Sequence, residues 1–79
     1  MKPVVYRETT YAYGVTLIQN KLIALGYLEG EADGVYGPGC AAAVMKFQQD
    51  NGLPVDGVAD EITQQKLQDA YAASLGATI

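Results

Sequence analysis

The residues with chemical potential gather in one loop. Glu29-x-Glu31-x-Asp33-Gly34 sets carboxylates at alternate positions ahead of a glycine. An EF-hand calcium loop opens that way, but it needs a bidentate Glu at its twelfth position. Counted from Glu29, that position is Cys40, and Pro38 would start a helix inside the loop. Neither calcium nor any other metal is expected, and no cofactor. Glu29 and Asp33 also form a carboxylate pair of the type that cleaves glycosides. That chemistry requires an apolar pocket that raises one pKa, and a turn-rich loop offers none. Cys40 is the only cysteine and the chain has no histidine, so the thiol lacks the usual activating base. No catalytic residue is expected.

Binding is a different matter. Tyr27 and Tyr36 bracket the Asp-Gly loop. A tyrosine can lie flat on a sugar face and offer its hydroxyl to polar groups, or it can be pinned in a small core. Gln19 and Gln48 each follow a core apolar residue on a helix. Their amides could recognise sugar. The better-motivated role is structural, because a buried amide must be satisfied and the adjoining loops offer backbone partners. The candidate ligand-binding residues are Tyr27, Asp33 and Tyr36, with Gln48 and Asn51 at the facing end of the second helix. They are expected to line a shallow groove.

The elements that position these residues are legible from periodicity. Residues 1–10 form a lead-in, with Thr9 and Thr10 as helix N-cap candidates. Val15, Ile18, Leu22 and Leu25 recur at three- and four-residue steps, one face of an amphipathic helix, and Gly26 ends it. Gly30 and Asp33-Gly34 mark a loop. Pro38 then opens a second helix at the position where its missing N–H costs nothing. Ala41, Val44 and Phe47 form its stripe, with Cys40 beside them, and Gly52 stops it. Asp60 is the expected cap of a third helix with Ile62, Leu67, Ala70 and Tyr71 as apolar positions. The spacing predicts helices over about 12–25, 38–51 and 61–74 with little strand. Residues 11–74 form the domain and 75–79 a frayed tail. The expected core is Ile18, Leu22, Leu25, Val44, Phe47 and Leu67.

Asp33–Val44 aligns without gaps on Asp56–Leu67, so Asp-Gly-Val recurs and Cys40 falls on Thr63. The expected fold is thus all-α, a compact three-helix domain with two Asp-Gly loop-to-helix repeats.

Composition narrows the partners. The chain has 79 residues, one domain's worth, with 49% hydrophobic and 18% charged residues. A net charge of −4 with five Lys and Arg gives no basic face for nucleic acid or for an anionic membrane. No apolar run is long enough to span a membrane. The first residues lack the charged-then-apolar pattern of a secretory signal, so if the protein is exported, its signal is expected outside these residues or its route is not the usual one.

Val15-x-x-Ile18-Gln19-x-x-Leu22-x-x-Leu25-Gly26-Tyr27 resembles the first helix of the peptidoglycan-binding domain family. Asp33-Gly34-x-Tyr36-Gly37-Pro38 with Ala43-Val44-x-x-Phe47-Gln48 resembles its middle. Gly52-Leu53-x-x-Asp56-Gly57 with Thr63-x-x-x-Leu67 resembles its end. The resemblance implies a non-catalytic, three-helix, carbohydrate-binding module that targets an attached cell-wall hydrolase to peptidoglycan, through the glycan strand or the stem peptide. It implies an extracytoplasmic, wall-associated location in bacteria, or a phage-encoded protein. A docking module on the same fold, contacting its own enzyme domain or a partner, is the alternative. Two departures stand out. The family commonly has Thr where this chain has Cys40, and Tyr11-Ala12-Tyr13 is unusually apolar for the segment before the first helix. A related module in some metalloprotease propeptides uses an exposed cysteine in a Pro-Arg-Cys-Gly context. The Gly39-Cys40-Ala41 context here differs, and a half-buried free thiol is expected instead.

Overall fold

The computed structural model describes residues 13–76. The lead-in with Thr9 and Thr10, the apolar Tyr11-Ala12 and the last three residues of the tail lie outside them. Three helices follow in order: α1, Tyr13–Ala24; α2, Pro38–Asp50; α3, Glu61–Ser74. The expected all-α architecture is present, with each helix within a residue of its expected ends. The described residues contain no strand longer than an isolated bridge at Val35 and Ala59, which links the two loops. α1 packs against both α2 and α3.

Each helix is cut to length by its sequence. Val15, Ile18 and Leu22 bury one face of α1. Gly26 then takes φ 85°, a conformation costly for any residue with a Cβ. That turn lets the Tyr27 N–H bond to the Leu22 carbonyl at 2.8 Å and the Gly26 N–H to Ile23 at 3.1 Å, which closes the helix end as a Schellman motif. The same closure ends α2, where Leu53 N–H reaches the Gln48 carbonyl at 2.9 Å. α2 has no side-chain cap and starts on Pro38. α3 begins on Asp60, whose side chain accepts the Thr63 N–H at 2.9 Å, as expected for this residue type.

The core is built on the inner faces of these helices. Ile18, Leu22, Val44, Phe47 and Leu67 are buried, as their spacing implies, and Leu25 packs on them partly exposed. Cys40, Ala41 and Ala43 add small buried surfaces along α2. Two members escape helical periodicity because they lie in loops: Tyr36 and Ala59, both fully buried. Ile62 departs from expectation and is 62% exposed. The inner face of α3 runs through Thr63, Leu67 and Ala70, and a residue one place before Thr63 is rotated about 100° away from it.

Phe47 is 1% exposed and meets Tyr27 edge to face at 5.6 Å between ring centroids. Truncating Phe47 to Ala is expected to cost about 3–5 kcal/mol, a large part of the stability of a domain this small. Urea denaturation of the variant followed by circular dichroism measures the loss. A cost below about 1 kcal/mol would contradict this packing.

Candidate functional site

Two buried glutamines organise both loops in the same way. From α1, Gln19 Nε2 donates to Asp33 Oδ1 at 3.0 Å and to the Val35 carbonyl at 2.9 Å. Its Oε1 accepts the Gly34 N–H at 2.9 Å. Asp33 Oδ1 also accepts the Val35 N–H, so the loop is tied to the helix and to itself. From α2, Gln48 repeats the pattern on the second loop. Its Nε2 donates to Asp56 Oδ1, the Val58 carbonyl and Thr63 Oγ1, at 2.9, 3.1 and 3.1 Å. Its Oε1 accepts the N–H groups of Asp56 and Gly57. Val58 N–H closes the ring onto Asp56 Oδ1 at 2.9 Å. The repeat seen in the sequence is therefore a repeated amide clamp.

The clamps decide where the expected ligand residues go. Gln48 is 1% exposed and spends both ends of its amide inside the protein. Tyr36 is fully buried, and its Oη donates to the Gly57 carbonyl at 2.7 Å. Burial pushes the Tyr36 hydroxyl well above its ordinary pKa, so it stays a donor. The expected ligand-facing placement of Tyr36 and Gln48 is corrected: both hold loops from within. Gly57, between them, has φ +73°, and a Cβ there would meet Met45 Cγ at 3.3 Å. Only glycine suits that site.

Asp33, Tyr27 and Asn51 reach the surface, but at two places. The Asp33 carboxylate is exposed and held below its usual range, first by the Val35 N–H and then by Gln19. It remains ionised in neutral solution. Its contribution to stability is present above the ordinary carboxylate pKa and is lost as acid titrates it. Asp33 also acts on Cys40, in the first turn of α2. Tyr27 and Asn51 lie at the other end of α2, about 16 Å along the axis from Cys40. There Tyr27 Oη donates to Asp50 Oδ2 at 2.7 Å. This bond, with burial and the carboxylate's charge behind it, raises the phenol pKa. Asn51 Nδ2 donates to the Phe47 carbonyl at 2.8 Å. The single groove expected from sequence is split, and Tyr27 with Asn51 is the part brought together. Asp50 joins them, a residue that sequence reasoning passed over. Its only signal was its place at the helix end beside Asn51.

Cys40 is 4% exposed rather than half-buried. Burial, with Asp33 nearby, pushes its thiol up to about 11, which suppresses the thiolate. Among the described residues no group of three or more His, Cys, Asp or Glu could hold a metal ion. A shallow depression runs along α3, lined by Glu61, Ile62, Gln65, Lys66 and Asp69. It includes none of the residues expected to bind ligand.

The pattern of the family described as "Putative peptidoglycan binding domain" matches residues 12–67, a span that contains both clamps. The spore cortex-lytic enzyme of Bacillus cereus is 44% identical over 50 residues, covering 63% of this chain and 19% of the enzyme. The Putative OxPP cycle protein OpcA of Nostoc punctiforme is 36% identical over 73 residues, covering 89% of this chain and 16% of that protein. The chain thus spans less than a fifth of either relative. Among solved structures, the SleB N-terminal domain superposes with a TM-score of 0.85 at 35% identity. The match covers 90% of this chain and 97% of that domain.

Two substitutions probe the clamps. Tyr36→Phe leaves the Gly57 carbonyl without its partner and is expected to cost about 1–3 kcal/mol in a denaturant titration. Cys40→Thr sets a hydroxyl where the second repeat has Thr63, bonded to its glutamine. It is expected to be tolerated, with a gain within about 1 kcal/mol. Clear destabilisation by thermal melting would mean that the thiol pocket rejects a hydroxyl.

Proposed function

The chain belongs to the peptidoglycan binding domain family, and from that premise we propose that it is a non-catalytic module that anchors an attached protein to the bacterial wall. The observation that carries this reading is the family match over residues 12–67, which takes in α1, α2, both clamped loops and the start of α3. The similarity to a spore cortex-lytic enzyme supports a hydrolase as the attached activity and a site of action outside the cytoplasm. None of the described helices is long and apolar enough to cross a membrane. Cys40, the strongest nucleophile by residue type, is enclosed and kept protonated, which supports a binding role. Such a module raises the local concentration of its enzyme on an insoluble substrate.

The proposed contact surface is centred on Tyr27 and Asn51, with Asp50 between them in the network. Tyr27 is partly buried against the core, so its ring is held in place by Phe47 and its hydroxyl by Asp50. A pre-positioned aromatic ring loses little entropy on binding a sugar or peptide face. Asp33, at the other end of α2, extends the surface only if the ligand is a long polymer strand. Gln48 and Tyr36 contribute indirectly, through the loops that they hold.

A second reading, docking onto a protein, is favoured by the Nostoc relative, whose name refers to the OxPP cycle and not to a wall. Sedimentation with purified sacculi separates the two. The isolated chain is expected to pellet with sacculi and to release no soluble fragments. Its binding is expected to depend weakly on salt, because a chain of net charge −4 gains no long-range attraction to an anionic polymer that salt could screen. Tyr27→Ala is expected to weaken pelleting by about tenfold, roughly the 1.4 kcal/mol of one aromatic contact. Retention of the chain in the supernatant at every concentration, together with capture of a protein partner, would replace the wall reading with the docking reading.

A further inference from the structure

Among the described carboxylates, Asp50 is the one held by an aromatic hydroxyl. Asp33 and Asp56 serve the loop clamps, Asp60 caps α3, and Asp69 accepts from Gln65. Asp50 uses Oδ2 for the Tyr27 hydroxyl. Among the described residues no cation pairs with this carboxylate and Oδ1 has no partner. The neighbouring residue adds a second acceptor. Asn51 turns its amide nitrogen to the Phe47 carbonyl, which leaves its side-chain oxygen without a partner among the described residues. Both residues are exposed at the C-terminal end of α2, where the helix dipole favours positive charge. The Tyr27 ring, fixed against Phe47 at 90°, supplies a partly exposed aromatic surface at the same end.

A primary ammonium offers three donors and no acceptor. Its usual recognition chemistry is a carboxylate, a neutral oxygen and an aromatic face. We propose that Tyr27, Asp50 and Asn51 form a receptor for a primary ammonium group carried by the wall polymer. The inference rests on the wall-binding reading and names what that surface selects. It also resolves a difficulty of charge. A chain of net charge −4 gains no long-range attraction to an anionic polymer, and an ammonium offers it a complementary charge at short range. Two sources carry such a group: the side-chain amine of a dibasic residue in the stem peptide, and the amine of a deacetylated glucosamine. The hydroxyl of Tyr27 acts as a positioning group. It fixes one carboxylate oxygen so that the other is presented without rotamer loss.

The test uses the whole chain and purified sacculi, native or N-acetylated with acetic anhydride. Acetylation is expected to raise the dissociation constant by about five- to tenfold. Asp50→Asn keeps an acceptor for Tyr27 and is expected to produce the same loss on native sacculi and none on acetylated sacculi. Asp69→Asn, which removes an equal charge from α3, is expected to change neither. Equal binding to native and acetylated sacculi would overturn the ammonium receptor and leave the wall reading intact. Absence of binding to both would overturn the wall reading and the receptor with it. Titration with a stem tripeptide bearing a free side-chain amine, and separately with a glucosamine oligosaccharide, assigns the source by amide shifts at Tyr27 and Asn51. No shift at these residues with either probe would also overturn the receptor.

Discussion

A buried carboxamide is costly to bury and therefore decisive once it is satisfied. Gln48 sits 1% exposed in the middle of a small apolar core, and its cost is offset only because one loop and Thr63 of α3 together satisfy it. No other side chain of similar size offers two donors and an acceptor in one plane. The loop must bring two backbone N–H groups, one carbonyl and one carboxylate oxygen to that plane, so its path is determined. The path forces a positive φ at Gly57 and delivers the Gly57 carbonyl to Tyr36. Tyr36 in turn belongs to the loop held by Gln19. The two clamps are thus coupled through a tyrosine, and every buried side-chain nitrogen and oxygen among the described residues has a partner.

The helices were readable because their evidence is periodic. Val15, Ile18 and Leu22 announce a face, and Pro38, Asp60, Gly26 and Gly52 announce ends by local chemistry that needs no tertiary context. Loop residues carry no period. Tyr36 offered an equal choice between surface and core, because an aromatic ring with a hydroxyl suits either. What decided it was a carbonyl from a loop 21 residues away. Gln48 was legible as a structural amide, yet also stood among the ligand candidates, and only its full set of partners removes it from the surface. Asp33 and Asn51 seemed to face one groove because both lie beside α2 in the chain. A helix of 13 residues keeps its ends about 20 Å apart, and that separation splits the groove. Ile62 shows the opposite failure, a true apolar residue on the wrong angular position.

The arrangement suits a part that must be rigid and replaceable. The interior is spent on fixing loops, so the outer surface is free to vary in what it contacts. Relatives that share this pattern over a small fraction of their length carry names as different as a cortex-lytic enzyme and an OxPP cycle protein. The Tyr27–Asp50 pair lies at a helix end, where a substitution alters the surface without disturbing an amide clamp.

The enclosed thiol gives the domain an internal gauge. Cys40 lies in the first turn of α2, where the first clamp and the core meet, and both burial and charge keep it unreactive while the helix is docked. A thiol reagent reaches it only when that turn opens. Its labelling rate therefore counts openings of the native state, and the ratio of that rate to the rate for a free cysteine converts directly to an opening free energy. Because the chain has a single cysteine, the signal has one origin. On an insoluble support, where spectroscopy of a small helical domain is swamped, these 79 residues still report their own integrity through one sulfur atom.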